Sequence, residues 1–515
     1  MHRGKLPASS SMLRSTLLAL GLGLGLSLAG VQHLYIVHTN DIHGALLPGT
    51  AFWLNPDFPP PLANAPGALV LIRELREEAV RKGYGFLLLD AGDVFKGTPL
   101  GDFTRGQAVI DYFNRAGYDA ISVGNHDFDL GWWTLKELVD SSRMPWVCSN
   151  LKVAGTDTPP GFLKSQLVFD RGGIRIGLFS LITKYLRGMV TDSMIGDLDV
   201  RPYEEDTRRA LADLRQAGAD IIIGLTHIGE RHDRRLADSI YGIDVIIGGH
   251  SHSGIQPAYE APASHTIMQQ AYSRGSAVGL LDISIDTGTR KIVGYRGQLI
   301  NTYGEAVPKD LAYLAHLESL NARAEKGFDG VIGRSVRELT RAGMVECPAG
   351  NLIADAMREY AHADIAVHNS AGIRTNFPEG DITYRHVYNV DAFGNTLVTG
   401  TYTGTQIKEM LEVSVNGHHA IFQVSGLRMT YTKRKPIGSR VLSVTIAGQP
   451  LRLDKTYLVA TNSYLAAGSG EYGVFAAGEN VEDTYLPLRD VIAAYIRMHS
   501  PVDARVEGRI VLIDK

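Results

Sequence analysis

Five short apolar runs in the first half of this chain end on residues that bind divalent metals. "IVHTNDIH" ends in Asp41 and His43, "LLLDAGD" in Asp93, and "ISVGNHDFD" in Asn125, His126, Asp127 and Asp129. "IIIGLTH" ends in His227, and "VIIGGHSH" in His250 and His252. A single Asp can cap a helix and a single His can be a satisfied core residue, so one such ending means little. Five of them point to an edge loaded with ligands. Seven Asp, Asn and His ligands exceed what one four- to six-coordinate ion takes, but suit two ions that share a bridging carboxylate. Mixed nitrogen and oxygen ligation without a thiolate favours Zn, Mn, Fe or Co. Two adjacent ions serve hydrolysis, one activating water and both stabilising the attacking and leaving oxygens. Phosphoryl transfer suits such a site because its barrier falls mainly by charge neutralisation and positioning.

The elements that must hold these residues follow from the same stretches. The β-rich runs "GFLLLD", "DAISVG", "IRIGLFSL", "ADIIIGL" and "IDVIIGG" alternate with amphipathic segments, the pattern of a layered α/β domain. "GALVLIRELREEAVRKG" sets Ala68, Leu71, Ile72, Leu75 and Ala79 at helical spacing and stops at Gly83. In an α/β domain the loops at the strand ends converge over one edge of the sheet. The Pro-rich "NPDFPPPLANAP" (Asn55 to Pro66) reads as an inserted surface loop. "DLAYLAHLESLNARAEKG" (Asp310 to Gly327) reads as a polar helical connector. Beyond it a second α+β unit is expected, with a hairpin-like "LRMTYTKRKPIGSRVLSVTI" whose "KRKP" (Lys433 to Pro436) is the solvated turn.

At 515 residues the chain is too long for one core, and two domains are the default. Its 44% hydrophobic and 21% charged content are those of a soluble globular protein. A net charge of -4 gives no basic surplus for a nucleic-acid polymer. Arg3, Lys5 and Arg14 precede an apolar run from Leu17 to Ala29, and Ser27-Leu28-Ala29 offers small residues for cleavage. That reads as a secretory signal, and hence as an exported protein (periplasmic, cell-surface or extracellular) with no transmembrane span after cleavage. The run is shorter than the ~20 residues a membrane span needs, which sets the uncleaved anchor second. Cys148 and Cys347 fall in different predicted domains and are expected as free thiols.

The set "NDIHG", "DAGD", "GNHDFD", "TH" and "GGHSH" resembles that of the calcineurin-like metallophosphoesterases. The resemblance is closest to their secreted 5'-nucleotidase branch, which also includes UDP-sugar hydrolases and cyclic-nucleotide phosphodiesterases. It implies an N-terminal four-layer α/β/β/α domain over residues 31–305 and a linker helix over 306–330. A smaller α+β substrate-binding domain over 331–515 would follow, with residues 1–30 as the signal peptide. It also implies two divalent metal ions, Zn, Mn, Co or Fe. Asp41, His43, Asp93 and His252 would hold one, and Asp93 would bridge to a second held by Asn125, His227 and His250. A Gln often stands where this chain has His252. His126 would act on the phosphate or protonate the leaving oxygen, with Asp129 holding its ring.

"GNLIADAM", "NSAGIR" and "AFGNTL" resemble landmarks of the branch's second domain. Asn369 and Arg374 would then reach the substrate phosphate, and Phe393 and Tyr464 would sandwich a base. Three departures stand out: Ala371 replaces a Gly, and Gly343 stands where a second phosphate-binding Arg is expected, with Arg341 two residues earlier. Glu471 lies one residue out of register with an Asp that binds ribose. The expected activity is hydrolysis of a nucleotide 5'-phosphomonoester to nucleoside and phosphate by in-line attack of metal-activated water. Cyclic-nucleotide or 3'-nucleotide cleavage, UDP-sugar hydrolysis and a sulfur-oxidation thiohydrolase are the alternatives on the same scaffold. Metal or nucleotide binding without catalysis is disfavoured, because binding needs no acid/base pair.

Overall fold

The computed structural model describes residues 30–514 apart from 52–57, 59, 191, 305–306, 393–394 and 469. The expected signal segment therefore lies outside the described residues, save Gly30.

Two six-stranded sheets form the centre of the first domain. In one, Val31–Thr39, Gly85–Asp90, Ala120–Ser122 and Trp146–Val147 run parallel, and Ala277–Asp286 and Lys291–Asn301 extend the edge antiparallel. In the other, Ile174–Ile182, Ile221–His227, Val245–Gly248 and Ile267–Gln269 are parallel neighbours. Side chains alternate across each strand, and both faces are covered. Leu34, Ile36, Leu87 and Leu89 meet Ile176, Leu178, Ile221, Ile223 and Leu225 between the sheets. Tyr35, Val37 and Leu88 face outward into a core shared with the helices Asn64–Lys82, Gln107–Ala116 and Trp132–Ser141. Phe179, Leu181 and Ile222 face outward against Tyr203–Gln216 and Glu230–Ser239. The layers are α/β/β/α, as expected, and the continuous apolar runs reflect strands buried on both faces.

The helix Asn64–Lys82 ends at Gly83, whose φ of 70° lets the backbone N–H turn back to Ala79 and Val80. It begins earlier than the sequence suggests. Asn64, Ala65, Pro66 and Gly67 are buried in its first turn, so the end of the Pro-rich stretch is packed helix rather than surface loop. Pro66 is tolerated there because first-turn N–H groups have no intrahelical acceptor. The helix Leu311–Ala324 docks on the first domain through Tyr313 and Leu317. Leu320 packs beside them, while Leu311, Ala312 and Ala315 stay exposed among the polar residues.

The second domain is built on a five-stranded sheet in the order Phe422–Ser425, Ile365–Asn369, Thr456–Asn462, Thr396–Thr403, Glu479–Pro487. Pro348–Tyr360 and Leu488–His499 pack on one face. Gly404–Ser414 and a four-stranded sheet containing Leu427–Tyr431 and Val441–Ile446 pack on the other. Lys433 to Pro436 form the loop between those last two strands. Cys148 and Cys347 are free and buried.

Candidate metal centre and interdomain cleft

All five ligand-bearing stretches leave their strands at the same edge. Asp41 and His43 follow Val31–Thr39, Asp93 follows Gly85–Asp90, and Asn125 opens a short turn after Ala120–Ser122. His227 closes Ile221–His227 of the second sheet, and His250 and His252 follow Val245–Gly248. These strands run parallel within each sheet, so their carboxyl ends bring the loops to one place.

Two clusters result. The ligand atoms of Asp41, His43 and His252 lie within 4.8 Å of one another, as do those of Asp93, His227 and His250. His43 Nε2 is 3.1 Å from His252 Nε2, and His252 Nε2 is 3.4 Å from Asp41 Oδ1. Asp93 Oδ2 stands between the clusters, 3.1 Å from His227 Nε2 and 3.8 Å from His43 Nε2. Backbone carbonyls set the ring orientations. His43 Nδ1 donates to Lys96 O at 2.8 Å and His227 Nδ1 to Ala91 O at 2.7 Å, which leaves each Nε2 to face the cluster.

Three observations test whether the residues fit cations. Asn125 Oδ1 is buried without a hydrogen-bond partner among the described residues, as expected of an atom aimed at an ion. Asp41, His43, Asp93, His250 and His252 all have φ between 50° and 76°. Left-handed backbone at non-Gly residues costs on the order of 1 kcal/mol or more each and gathers at functional sites. Burial, finally, drives His43 down to about 3 and His250 to about 4, so both rings are neutral, the ligating form. Burial opposes charge on His227 as well, yet Asp93 and Asp41 raise it to about 10. The carboxylates call for positive charge among them. The residues fit two divalent cations.

His126 stands beside this centre. Its Nδ1 donates to Asp129 Oδ2 at 2.9 Å, and its backbone N–H donates to Asp93 Oδ1 at 2.7 Å. Burial alone would lower its pKa, but the Asp129 and Asp93 carboxylates outweigh that and lift it to about 9.

A cavity of about 300 Å³ between the domains joins the two halves of the expected site. His126, Asp129 and Lys96 line it from the first domain, and Asn369, Arg374 and Tyr464 from the second. Asn369 is buried, and its Oδ1 accepts from Asn462 Nδ2 at 2.8 Å, so its own amide donors are the groups left for a ligand. Tyr464 is 44% exposed and meets Tyr472 edge-on, with ring centroids 5.8 Å apart. Phe393 lies outside the described residues. Arg341 is not part of the cavity wall, and its Nη1 donates to Ile373 O at 3.1 Å.

Sequence reasoning missed Lys96 and Asp483, which also line this cavity. Lys96 had a signal, three residues after Asp93 in the same loop. Asp483 had none, on a strand far along the chain.

Comparison with known proteins accords with this geometry. The calcineurin-like phosphoesterase family matches residues 34–254, and the 5'-nucleotidase C-terminal domain matches residues 327–477. The trifunctional nucleotide phosphoesterase protein YfkN of Bacillus subtilis is 31% identical over 93% of this chain, which spans 35% of that longer protein. A 5'-nucleotidase of Vibrio vulnificus is 27% identical, with 91% of each chain covered. The crystal structure of a 5'-nucleotidase precursor from Thermus thermophilus superposes with a TM-score of 0.77 at 29% identity, covering 94% of this chain and 100% of that one. This chain belongs to the calcineurin-like metallophosphoesterases that carry a 5'-nucleotidase C-terminal domain.

Proposed function

We propose that this chain is an exported, metal-dependent phosphohydrolase that cleaves nucleotide 5'-phosphomonoesters to nucleoside and phosphate. The observation that carries the reading is one cavity: it has the His126–Asp129 pair on one wall and Asn369, Arg374 and Tyr464 on the other. Asp41, His43, Asp93 and His252 would hold one divalent ion, and Asp93, Asn125, His227 and His250 the other. Zn, Mn, Co and Fe all suit these donors. Bound there, such ions supply positive charge to the phosphoryl group and acidify water.

The chain's own residues do the rest. Asn369 amide donors and the Arg374 guanidinium orient the phosphate from the second domain. Asp129 fixes the His126 ring through Nδ1, so Nε2 presents its proton to the cavity. Carbonyl-held His43 and His227 keep their faces aligned as the substrate enters. His126 then passes its proton to the departing 5'-oxygen, and the Asp129 carboxylate on Nδ1 favours the protonated ring. Export is read from the charged and apolar start of the chain; among the described residues no helix is long and apolar enough to cross a membrane.

The test is a substrate panel with Mn-, Co- or Zn-loaded protein against AMP, UDP-glucose, a cyclic nucleotide and an aryl phosphate. AMP is expected to give the highest kcat/KM. The name of the Bacillus relative, a trifunctional phosphoesterase, makes the diester an informative member of the panel. No turnover of any substrate, with metal demonstrably bound, would overturn the reading.

A further inference from the structure

Arg274 carries a charge without a counter-charge. It lies in the turn after the strand Ile267–Gln269 and is half-buried. Its guanidinium makes no hydrogen bond or ion pair with any described residue. Taking a charge out of water is costly, and an arginine in such surroundings is normally paired.

The main chain fixes where this charge stands. Arg274 N–H donates to Asp41 O at 2.7 Å, and Asn40 Nδ2 donates to Tyr272 O at 2.6 Å. The turn is thereby tied to the loop that carries Asp41 and His43. Tyr272 and Arg274 have φ of 54° and 55°, left-handed backbone that non-Gly residues keep only where their surroundings hold it. A Cβ built on Gly97 would stand 3.3 Å from His43 Cβ and 3.7 Å from Arg274 Nη2. The guanidinium and His43 thus flank the same glycine, the residue after Lys96.

The charges around Arg274 do not neutralise it. Burial lowers its pKa and the like charge of Arg374 adds to that, with Tyr388 and Asp102 opposing. Asp102 is already shared: it accepts from Tyr388 Oη at 2.6 Å and Gly97 N–H at 3.2 Å, with Lys96 and Arg489 each 3.6 Å away. Burial is also the main cause that lowers the His43 pKa; Asp93 opposes it, and the charges of His126, His252 and Arg274 lower it further. Two guanidiniums therefore face each other across the domain boundary, one beside the proposed ligands and one in the wall of the interdomain cavity. A bound anion would stabilise both.

We infer that Arg274 is a positioning residue for the substrate's phosphate, supplying from the first domain the attraction that Arg374 supplies from the second. This rests on the reading of the centre as a phosphohydrolase. Arg274 does not line the cavity, so it acts through its field rather than by contact. In a partly shielded cleft one such charge changes the affinity for a dianion by about tenfold or more.

The experiment measures Kd for inorganic phosphate and for adenosine, by calorimetry on metal-loaded protein. Arg274→Met is expected to weaken phosphate at least about tenfold and to leave adenosine within about twofold. Arg274→Gln should do the same, and keeps the test standing if the Met variant does not fold. Arg274→Lys retains the charge and should hold phosphate within about threefold of wild type. Metal content should equal or exceed that of wild type in the Met and Gln variants, because a neighbouring cation has been removed. Unchanged phosphate affinity in those two variants would overturn the assignment. So would equal losses in the Lys and Met variants, or a loss of adenosine parallel to that of phosphate, since each marks a structural role. Phosphate binding by wild type without turnover of any phosphoester fails the proposed function alone. AMP turnover with phosphate affinity indifferent to Arg274 fails this inference alone.

Discussion

Tyr388 in the second domain donates its hydroxyl to Asp102 Oδ2 in the first at 2.6 Å. Lys96 Nζ and Arg489 Nη2 each stand 3.6 Å from the same oxygen, and the Arg489 guanidinium lies 4.5 Å over the Tyr388 ring. Phe328, just past the docked helix, packs against both Phe103 and Tyr388. The side chains of Asp102, Lys96 and Arg489 are only 10–11% exposed, so this node is shielded from solvent screening. It ties the domains together beside the interdomain cavity, of which Lys96 is a wall.

Tyr388→Phe removes one charge-assisted bond and leaves two cations on Asp102. A loss of roughly 1–2 kcal/mol in stability is expected, read as a lower Tm. The domains should also separate more readily, seen as a larger radius of gyration in solution scattering. A variant with wild-type Tm and scattering would show that the contact holds nothing.

His126→Ala should lower turnover at least ~100-fold, the usual scale for an acid/base group, with metal content unchanged. Asp129→Asn keeps a partner at 2.9 Å distance but not its charge, and should cost less, about tenfold. Metal analysis beside the kinetics separates this from damage to the ligand clusters. Equal activity in the Ala variant would remove His126 from the mechanism.

Gly124→Ala should abolish metal binding although no proposed ligand is substituted. A Cβ there would stand 2.2 Å from Asp93 Oδ1 and 2.3 Å from the Asp93 backbone N, so the Asp93 carboxylate must move. Retained metal stoichiometry in that variant would argue against the placement of Asp93 between the two clusters.

The gathering of Asp41, His43 and His252, and of Asp93, His227 and His250, into two clusters was legible because each residue closely follows a buried strand, so an apolar run and its polar stop are near in sequence. The four-layer arrangement was legible for the same reason, since strands covered on both faces read as unbroken Val/Ile/Leu runs. What stayed hidden depends on distant segments meeting. Nothing near Asp483 announces that Thr396 and His126 share its cavity. The out-of-register Glu471 reads as a displaced ligand-binding acid, yet His418 and His419 consume it. Arg341 stands two residues before Gly343, where a second phosphate-binding Arg is expected, but its Nη1 donates to the carbonyl of Ile373. The docking of Leu311–Ala324 rests on Tyr313, Leu317 and the half-buried Leu320, set among Glu318, Asn321 and Arg323, which make the segment read as a connector.

Asp233 gives a pH test at a residue that is not itself a proposed ligand. Its carboxyl is 1% exposed and accepts from Thr226 Oγ1 at 2.6 Å. Burial pushes its pKa up to about 8, with Glu230 adding to the rise and Thr226 and His227 opposing it. Between about pH 4 and pH 8 the folded state keeps a proton that the unfolded chain has lost, so this group lowers stability as pH rises through that window. The slope is at most about 1.4 kcal/mol per pH unit, and the penalty is fully developed above pH 8. Asp233→Asn cannot ionise and should gain on wild type steadily from pH 5 to pH 8. The measurement is the difference in unfolding free energy between the two proteins across that range, which cancels the other titrating groups. A difference that stays flat would mean that Asp233 is already ionised in the fold, and that the Thr226 hydroxyl next to His227 is held by a charged acceptor.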